Sequence, residues 1–363
     1  MHHCCGNDID AELVRKGIKL TESFYERLFN VNIFKALDPL DDEDFLKIVK
    51  RIGKELSDAT AETEREALVR ALEELDVDWP NLSETARERV FLAAGTALNS
   101  LPTRGMLADT STVFGNRAEE VVEMTKRSVV RKFNLNIPVS FTDQDVKIIR
   151  YVAGSQSNFI TDEYGRRAAQ YDKQARAIVA KGIGKGLGRE DIAKDLRAAL
   201  GPAKKMGKAR NYWDVIASSF VQNGRQWSQI STFQEGGIDR YRFQAVLDER
   251  TTDVCNMLHD RVFSVASAAR TMNDVMDADP EGIKKLSPWV RNGKDENGNR
   301  ILYTKDPDTG RRRLVARVEQ TALGQRDKRG VFTDQMTNQQ LESAGIPIPP
   351  LHGLCRSTII AEL

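Results

Sequence analysis

The sequence has few of the residues that define several common classes of protein. Its 363 residues include only four cysteines and four histidines, too few for the dense disulfide framework of a small secreted domain. Its longest apolar stretch, residues 90–101, is shorter than the ~20 residues that a membrane-spanning helix needs. The first ten residues lack a basic segment followed by an apolar one, so they do not predict a secretory signal. We therefore expect no membrane segment, and synthesis and assembly in a cytoplasm.

The charge of the chain is low in total and uneven along its length. The formal net charge is +1, from 54 basic and 53 acidic residues, which argues against a nucleic-acid coat that is basic throughout. Acidic residues predominate over 38–80, whereas basic residues predominate over 284–329. The second of these parts is the candidate for contact with nucleic acid.

The first part of the chain has the periodicity of helices. Apolar residues recur at three- and four-residue spacings up to about residue 132, which is typical of amphipathic helices. Breaks are predicted at Asp38-Pro39, Trp79-Pro80 and Leu101-Pro102, because proline interrupts a helix. We expect a helical N-terminal region over residues 1–135.

A second helical region follows. Thr142 is placed to cap a helix, another helix is predicted over 163–181, and residues 213–233 carry one apolar stripe at helical spacing. The glycine-rich segment 182–188 follows a helix and is not followed by Lys-Ser/Thr, so it predicts a turn and not a phosphate-binding loop. We expect a helical middle region over residues 136–238.

The periodicity changes after residue 238. Apolar and polar residues alternate over 241–247, which predicts a strand. Two turn signals at 296–299 and 306–310 bracket an apolar segment and predict a hairpin that projects from the domain. The fold class is therefore predicted to be α+β: a mostly helical N-terminal part, then a small α+β domain over 239–363 with a short sheet and this hairpin insert.

Every cysteine and histidine lies in one of two clusters. The first cluster, at the chain start, is expected to bind metal only adventitiously and comprises His2, His3, Cys4 and Cys5. The second combines a C-x3-H pair in a helix that Thr251 or Thr252 would cap with an H-x2-C pair near the chain end. It comprises Cys255, His259, His352 and Cys355. Two cysteines and two histidines are a suitable ligand set for one structural, tetrahedral zinc ion.

Three other interpretations of the second cluster remain open. Cys255 and Cys355 can be packed as small buried hydrophobic residues. They can form a disulfide once the protein reaches an oxidising medium. Cys255 and His352 can also form a nucleophile and base pair, although no oxyanion-hole or orienting residue accompanies them. No enzymatic activity is expected.

The order of short motifs in the C-terminal half resembles that of a known family. A strand is followed by Asp-x-Arg-Thr, a Cys, a Leu, Val-Phe, a long insert and Pro-Pro-x-His-x2-Cys-Arg-Ser. This order is similar to the C-terminal domain of the bacteriophage Mu F-like head-morphogenesis proteins, and the similarity covers about residues 181–363. The matching residues are Asp248, Arg250, Thr251, Cys255, Leu258, Val262, Phe263, Pro349, Pro350, His352, Cys355, Arg356 and Ser357.

The resemblance implies a structural role in a virion. Proteins of this family are minor capsid proteins of tailed phages. A few copies associate with the portal protein, enter the head during assembly in the bacterial cytoplasm, and contact DNA or leave with it at ejection. Capsid or scaffold proteins are further expected partners. Relatives carry a glycine near His259-Asp260, so the use of His259 as a ligand depends on its chemistry and not on the resemblance.

Two further sets of residues have predicted roles. Asp248 and Arg356 are predicted to form a bidentate ion pair that holds the terminal strand against the domain. The basic hairpin is predicted to contact DNA phosphates, although it can also be a solvated arm or meet an acidic portal surface. Its candidate DNA-binding residues are Arg311, Arg312, Arg313 and Arg317. The alternative functions are a DNA-binding protein that acts outside the virion and a cysteine-dependent enzyme.

Overall fold

The computed structural model of the chain describes residues 37–201 and 209–363. Its first part is built of helices, with a 3-10 turn at Trp79–Asn81. The helices are α1 (Asp42–Glu74), α2 (Glu84–Lys132), α3 (Asp143–Gly184), α4 (Arg189–Leu200) and α5 (Ala209–Glu235). The connections after α2 and α5 contain the predicted region boundaries at residues 135 and 238.

Side-chain caps set where these helices begin. The Ser83 hydroxyl accepts a hydrogen bond from Ala86 N at 3.3 Å, and Thr142 forms a reciprocal capping box with Asp145. The predicted break at Leu101-Pro102 is wrong, because α2 continues through it. A proline removes one backbone hydrogen bond, and the remaining bonds of this 49-residue helix maintain the helical path. The helix predicted over 163–181 is the second half of α3.

The C-terminal part alternates short strands and helices and confirms the α+β class. The helices are α6 (Asp253–Leu258), α7 (Val265–Asp277), α8 (Pro280–Leu286) and α9 (Asn338–Ser343). The strands are β1 (Arg240–Gln244), β2 (Val262–Ser264), β3 (Arg291–Lys294), β4 (Arg300–Lys305), β5 (Arg312–Gln320), β6 (Val331–Thr333) and β7 (Thr358–Glu362).

The strands form two antiparallel sheets. The first has the order β2-β1-β7, in which Arg240 lies opposite Glu362 and Gln244 lies opposite Thr358. The first and last strands of the C-terminal part therefore pair with each other. The second sheet has the order β3-β4-β5-β6.

One hydrophobic core extends from α1 to β7. The apolar stripe of α5 lies inside it, with Trp213, Phe220 and Phe233 buried, which confirms a core role for these aromatic residues. A second cluster joins α1 to α4 around Trp79 and Phe91, whose ring centroids are 4.9 Å apart. Helices α2 and α3 thus contribute to both clusters.

The glycine-rich segment between α3 and α4 is a turn, as predicted. Helix α3 ends at Gly184, and Gly186 has a φ of +70°, a conformation that favours glycine. Helix α4 carries Glu190 and Asp191 in its first turn. Their negative charge disfavours a phosphate at this helix N-terminus.

A buried cation joins three of the helices. Lys126 of α2 has a fully buried side chain, and its Nζ lies 2.7 Å from Asp145 Oδ2 and 2.8 Å from Glu235 Oε2. It also donates to the Ser140 carbonyl at 3.0 Å. All three donor positions of the ammonium are thereby used, which is the condition for keeping such a charge in the interior.

Candidate metal centre

Cys255 reaches the interior on the short helix α6, which the preceding turn positions. Helix α6 begins after Thr252 and is buried along its whole length. The Thr251 hydroxyl accepts a hydrogen bond from Asp248 N at 2.8 Å and donates one to the Val246 carbonyl. One side chain therefore satisfies two backbone groups of the turn and fixes where the helix starts.

The other half of the cluster lies in the segment between Pro350 and β7. Because β7 pairs with β1 along its length, the residues just before it return to the start of α6. This return places Cys355, which is 1 % exposed, and the half-buried His352 against Cys255. Sheet pairing therefore brings together residues about 100 positions apart.

The three side chains form a compact group of ligand atoms. Cys255 Sγ lies 3.2 Å from His352 Nε2 and 3.9 Å from Cys355 Sγ, and all three ligand atoms lie within 4.8 Å of one another. A tetrahedral zinc ion with Zn–S of about 2.3 Å and Zn–N of about 2.0 Å holds its ligand atoms about 3.5 to 3.8 Å apart. The group can therefore hold a metal ion. Both cysteines are free thiols.

The hydrogen bond on the far side of the imidazole sets its tautomer. His352 Nδ1 lies 2.8 Å from the Gly353 carbonyl oxygen. A carbonyl oxygen only accepts, so Nδ1 donates, and in the neutral ring the lone pair is then on Nε2. This is the arrangement of metal-binding histidines, which usually donate the other ring N–H to a carbonyl or carboxylate.

The electrostatic environment favours one thiolate in the cluster. The hydrogen bond with Cys255, followed by the contact with His352, holds the pKa of Cys355 well below its ordinary value. The contact with Cys355, together with burial, raises the pKa of the Cys255 thiol. Burial lowers the pKa of the His352 ring, but the hydrogen bond and charge of Cys355 outweigh it, so the pKa is raised overall. A metal cation would favour ionisation of the second thiol as well.

His259 does not join this cluster. Helix α6 ends at Leu258, and His259 has φ −53° and ψ 133°, so the helical spacing expected between Cys255 and His259 is lost at the last residue. The His259 Nδ1 atom instead accepts a hydrogen bond from Ala245 N at 3.0 Å. The predicted four-ligand set is therefore reduced to three ligands among the described residues.

Asp248 and Arg356 form the predicted ion pair with a different geometry. Arg356 Nη2 lies 2.5 Å from Asp248 Oδ2, while Nη1 lies 2.8 Å from Asp42 Oδ2 at the start of α1. The guanidinium thus bridges two carboxylates instead of binding Asp248 in a bidentate manner. Arg250, also in the motif, is mostly exposed, with its Nη2 3.5 Å from Asp248 Oδ2. We call Asp42, Asp248 and Arg356 the clasp.

Polar side chains of α5 hold the segment that follows the cluster. Arg225 is buried and donates to the carbonyls of Ser357 at 2.7 Å and Pro39 at 3.0 Å, with its guanidinium 4.2 Å from the Phe45 ring centroid. Burial lowers the pKa of Arg225 to about 10. Gln229 donates to the Ile359 carbonyl at 2.7 Å. The edge of β7 is thereby covered, and sequence analysis missed this role because it considered only the apolar stripe of α5.

A cavity of about 310 Å³ adjoins the cluster. Leu46 and Val49 of α1 form an apolar part of its wall, and Thr252, Cys255 and His352 form a polar part. Cys355 lies behind this wall and is not among its lining residues. The cluster therefore has a buried side and a cavity side.

The basic segment forms hairpins at both predicted turns, 296–299 between β3 and β4 and 306–310 between β4 and β5, within a four-stranded sheet. The expectation of an arm held away from the domain is wrong, because Leu302, Val315 and Ala316 of β4 and β5 are buried in the main core. Both strands have consecutive buried residues, Ile301 with Leu302 and Val315 with Ala316, beside a register shift between Leu302 and Tyr303, so the middle of the sheet packs onto the domain.

The sheet uses several of its arginines internally. Arg317 is paired with Asp295 and Asp334. Arg311, Arg312 and Arg313 are all exposed, and the Arg312 guanidinium lies 4.7 Å from the Tyr303 ring centroid. Four other bases of this segment form ion pairs with acidic residues that lie outside the sheet or in one of its turns. The pairs are Lys285 with Asp308, Arg300 with Asp253, Arg326 with Glu249 and Arg329 with Asp260. The charge available to a polyanion is smaller than the sequence suggested.

The remaining predicted cluster, His2 to Cys5, lies outside the described residues. No helix in the part of the chain that the structure describes is long and apolar enough to cross a membrane. Comparisons with protein-family models, with curated proteins and with solved structures find no match to this chain.

Proposed function

We propose that this chain is a structural minor head protein of a tailed bacteriophage, which associates with the portal during head assembly. The observation that carries the proposal is the convergence of the motif residues that resemble the Mu F-like family. Asp248 contacts Arg356, and Cys255 contacts His352 and Cys355, although about 100 residues separate the two halves. Most of these polar groups bond to one another, which supports a role in closing the domain over a role in catalysis.

The proposal includes one structural zinc ion per chain, held by Cys255, His352 and Cys355. A metal ion there would join α6 to the segment before β7, and so would link the two ends of the C-terminal part. Since the ligands come together only in the folded chain, the binding energy would contribute to folding stability. The reducing cytoplasm in which assembly takes place would keep both thiols available to the metal.

The proposed partners divide between the two ends of the chain. We call helices α1 to α5 the helical body. It is the part proposed to bind the portal protein, and its α1 begins with three acidic residues after Asp41. The exposed Arg311 and Arg313 are proposed to meet DNA phosphates without sequence preference. Extensive internal pairing of the other bases supports this limited DNA contact over the alternative of a DNA-binding protein that acts alone.

Co-expression with the portal protein of the same phage genome tests the proposal. We expect the two proteins to co-elute in size-exclusion chromatography, and we expect a portal gene next to this one. A chain that shifts DNA in gels but has no affinity for the portal would instead be a DNA-binding protein outside the virion. Labelling of Cys255 by a mechanism-based cysteine probe would identify an enzyme and overturn the structural role.

A further inference from the structure

We infer that the zinc site is coordinatively open: Cys255, Cys355 and His352 supply three ligands, and an exchangeable solvent molecule from the adjoining cavity supplies the fourth. The inference depends on the proposed zinc ion but not on the assignment to a phage head. It concerns the coordination of the proposed structural zinc ion, whose fourth position goes to solvent and not to the fourth protein ligand that the cysteine and histidine spacing predicts.

The three ligand atoms are arranged as one face of a distorted tetrahedron. The two distances from Cys255 Sγ, 3.2 Å to His352 Nε2 and 3.9 Å to Cys355 Sγ, bracket the edge length of about 3.5 to 3.8 Å expected around zinc. The third edge, from His352 Nε2 to Cys355 Sγ, is at most 4.8 Å, so a bound metal ion would draw these two atoms together by up to about 1 Å. A fourth ligand has to come from outside this face.

No fourth histidine, cysteine or carboxylate joins the group within the described ranges. The nearest candidates in the sequence already have partners. His259 Nδ1 accepts from Ala245 N, the Asp248 carboxylate binds Arg356, and Asp253 binds Arg300 and Thr321. Recruiting any of them would leave a buried or half-buried partner unsatisfied, which costs free energy.

The cavity lies on the side of the cluster where a fourth ligand is needed. Cys355 is on the buried side of the cluster. There Arg225 of α5 donates hydrogen bonds to the carbonyls of the two residues that follow Cys355. Cys255 and His352 face the cavity, whose volume of about 310 Å³ is enough for several water molecules. The cavity side therefore has room for a solvent ligand, whereas the buried side is packed.

A polar atom in the cavity wall also lacks a partner. Thr252 Oγ1 is buried and makes no hydrogen bond to the described residues, and Thr252 lines the same cavity as Cys255 and His352. A solvent molecule admitted beside Cys255 would supply the partner that this oxygen lacks.

The test uses the full chain with His2, His3, Cys4 and Cys5 replaced by alanine, so that metal bound at the N-terminus is not counted. We expect the protein to contain about one zinc ion per chain. Growth in cobalt-supplemented medium should give a Co²⁺ form with thiolate charge-transfer absorption and d–d bands of a four-coordinate ion. Addition of azide should shift the d–d bands, because azide displaces the solvent ligand of an open site.

A matched pair of variants identifies the ligands. His352→Asn removes Nε2 but keeps a group that can bond to the Gly353 carbonyl, and it should lose most of the metal. His259→Asn keeps an acceptor for Ala245 N and should retain the metal and the azide response. If His352→Asn does not fold, the azide response of the parent protein still decides the question.

Each outcome supports or overturns the inference. One metal per chain with azide-sensitive d–d bands supports it. One metal per chain whose bands azide does not change means a closed site with a fourth protein ligand, and overturns the open position. No metal, or a Cys255–Cys355 disulfide in protein purified under nitrogen, overturns the site itself. These measurements use the isolated protein, so they leave the portal experiment independent.

Discussion

Replacing Asp248 with asparagine should weaken the clasp and destabilise the folded chain. The Asp248 and Arg356 side chains are only 13 % and 10 % exposed, and their oxygen and nitrogen atoms are 2.5 Å apart. Loss of one partner of a buried pair costs about 3 to 5 kcal/mol, because it leaves the other charge uncompensated. Arg356 retains Asp42 at 2.8 Å, so we expect a loss of about 2 to 3 kcal/mol in the free energy of unfolding.

The pH dependence of this loss has a definite sign. Burial alone would raise the pKa of Asp248, but the hydrogen bond from Arg356 outweighs it and lowers the pKa below the ordinary value of 3.8. A carboxyl group with a depressed folded-state pKa stabilises the protein above its unfolded-state pKa. That stabilisation is lost as the pH falls through the folded-state value. The difference between Asp248→Asn and the parent should therefore be full at pH 7 and shrink below pH 3.8.

Urea unfolding followed by tryptophan fluorescence measures the effect, since Trp213 and Trp227 are buried in the main hydrophobic core and report its unfolding. Asp58→Asn is the matched control, because Asp58 pairs with Lys54 on the exposed surface of α1. The control should leave the midpoint almost unchanged. Equal midpoints for the two variants would refute the reasoning that the clasp is a buried pair.

Two further perturbations test other parts of the account. Lys126→Met removes a fully buried cation and leaves its carboxylates unpaired. It should therefore lower the free energy of unfolding by about 3 to 5 kcal/mol. The control Lys54→Met should change the urea midpoint little. For DNA binding, alanine at 311–313 should reduce the log-log salt slope by about 1 to 2, because Arg312 faces the opposite side of β5 from its neighbour. Arg317→Ala should leave this slope unchanged, since its charge is already paired; equal slopes for all three proteins in fluorescence anisotropy titrations would exclude the sheet as the DNA contact.

Local signals in the sequence were sufficient to predict much of the fold. Thr142 was expected to cap a helix because its hydroxyl can accept from the next turn, and it does so. Alternation over 241–247 predicted a strand, and β1 forms over Arg240–Gln244. Pro102 does not break α2, because a long helix tolerates one missing hydrogen bond.

The candidate site was predictable only where its residues share a motif. Cys255, His352 and Cys355 were identified from their spacing and order, and pairing of β1 with β7 then brings them together. His259 was wrongly included because helical spacing holds only inside a helix, and α6 ends one residue earlier. Asp42 and Arg225 were missed because their partners lie more than 100 residues away, and no periodic pattern records such contacts.

Quantitative mass spectrometry of purified virions that carry this gene tests the central proposal most directly. A minor head protein that associates with the portal should be present in intact particles at a few copies, a number comparable to the portal subunits and far below that of the major capsid protein. The account predicts that peptides from both the helical body and the C-terminal domain appear at this level. Their absence from intact virions, with the protein found only in the infected cell, would contradict it.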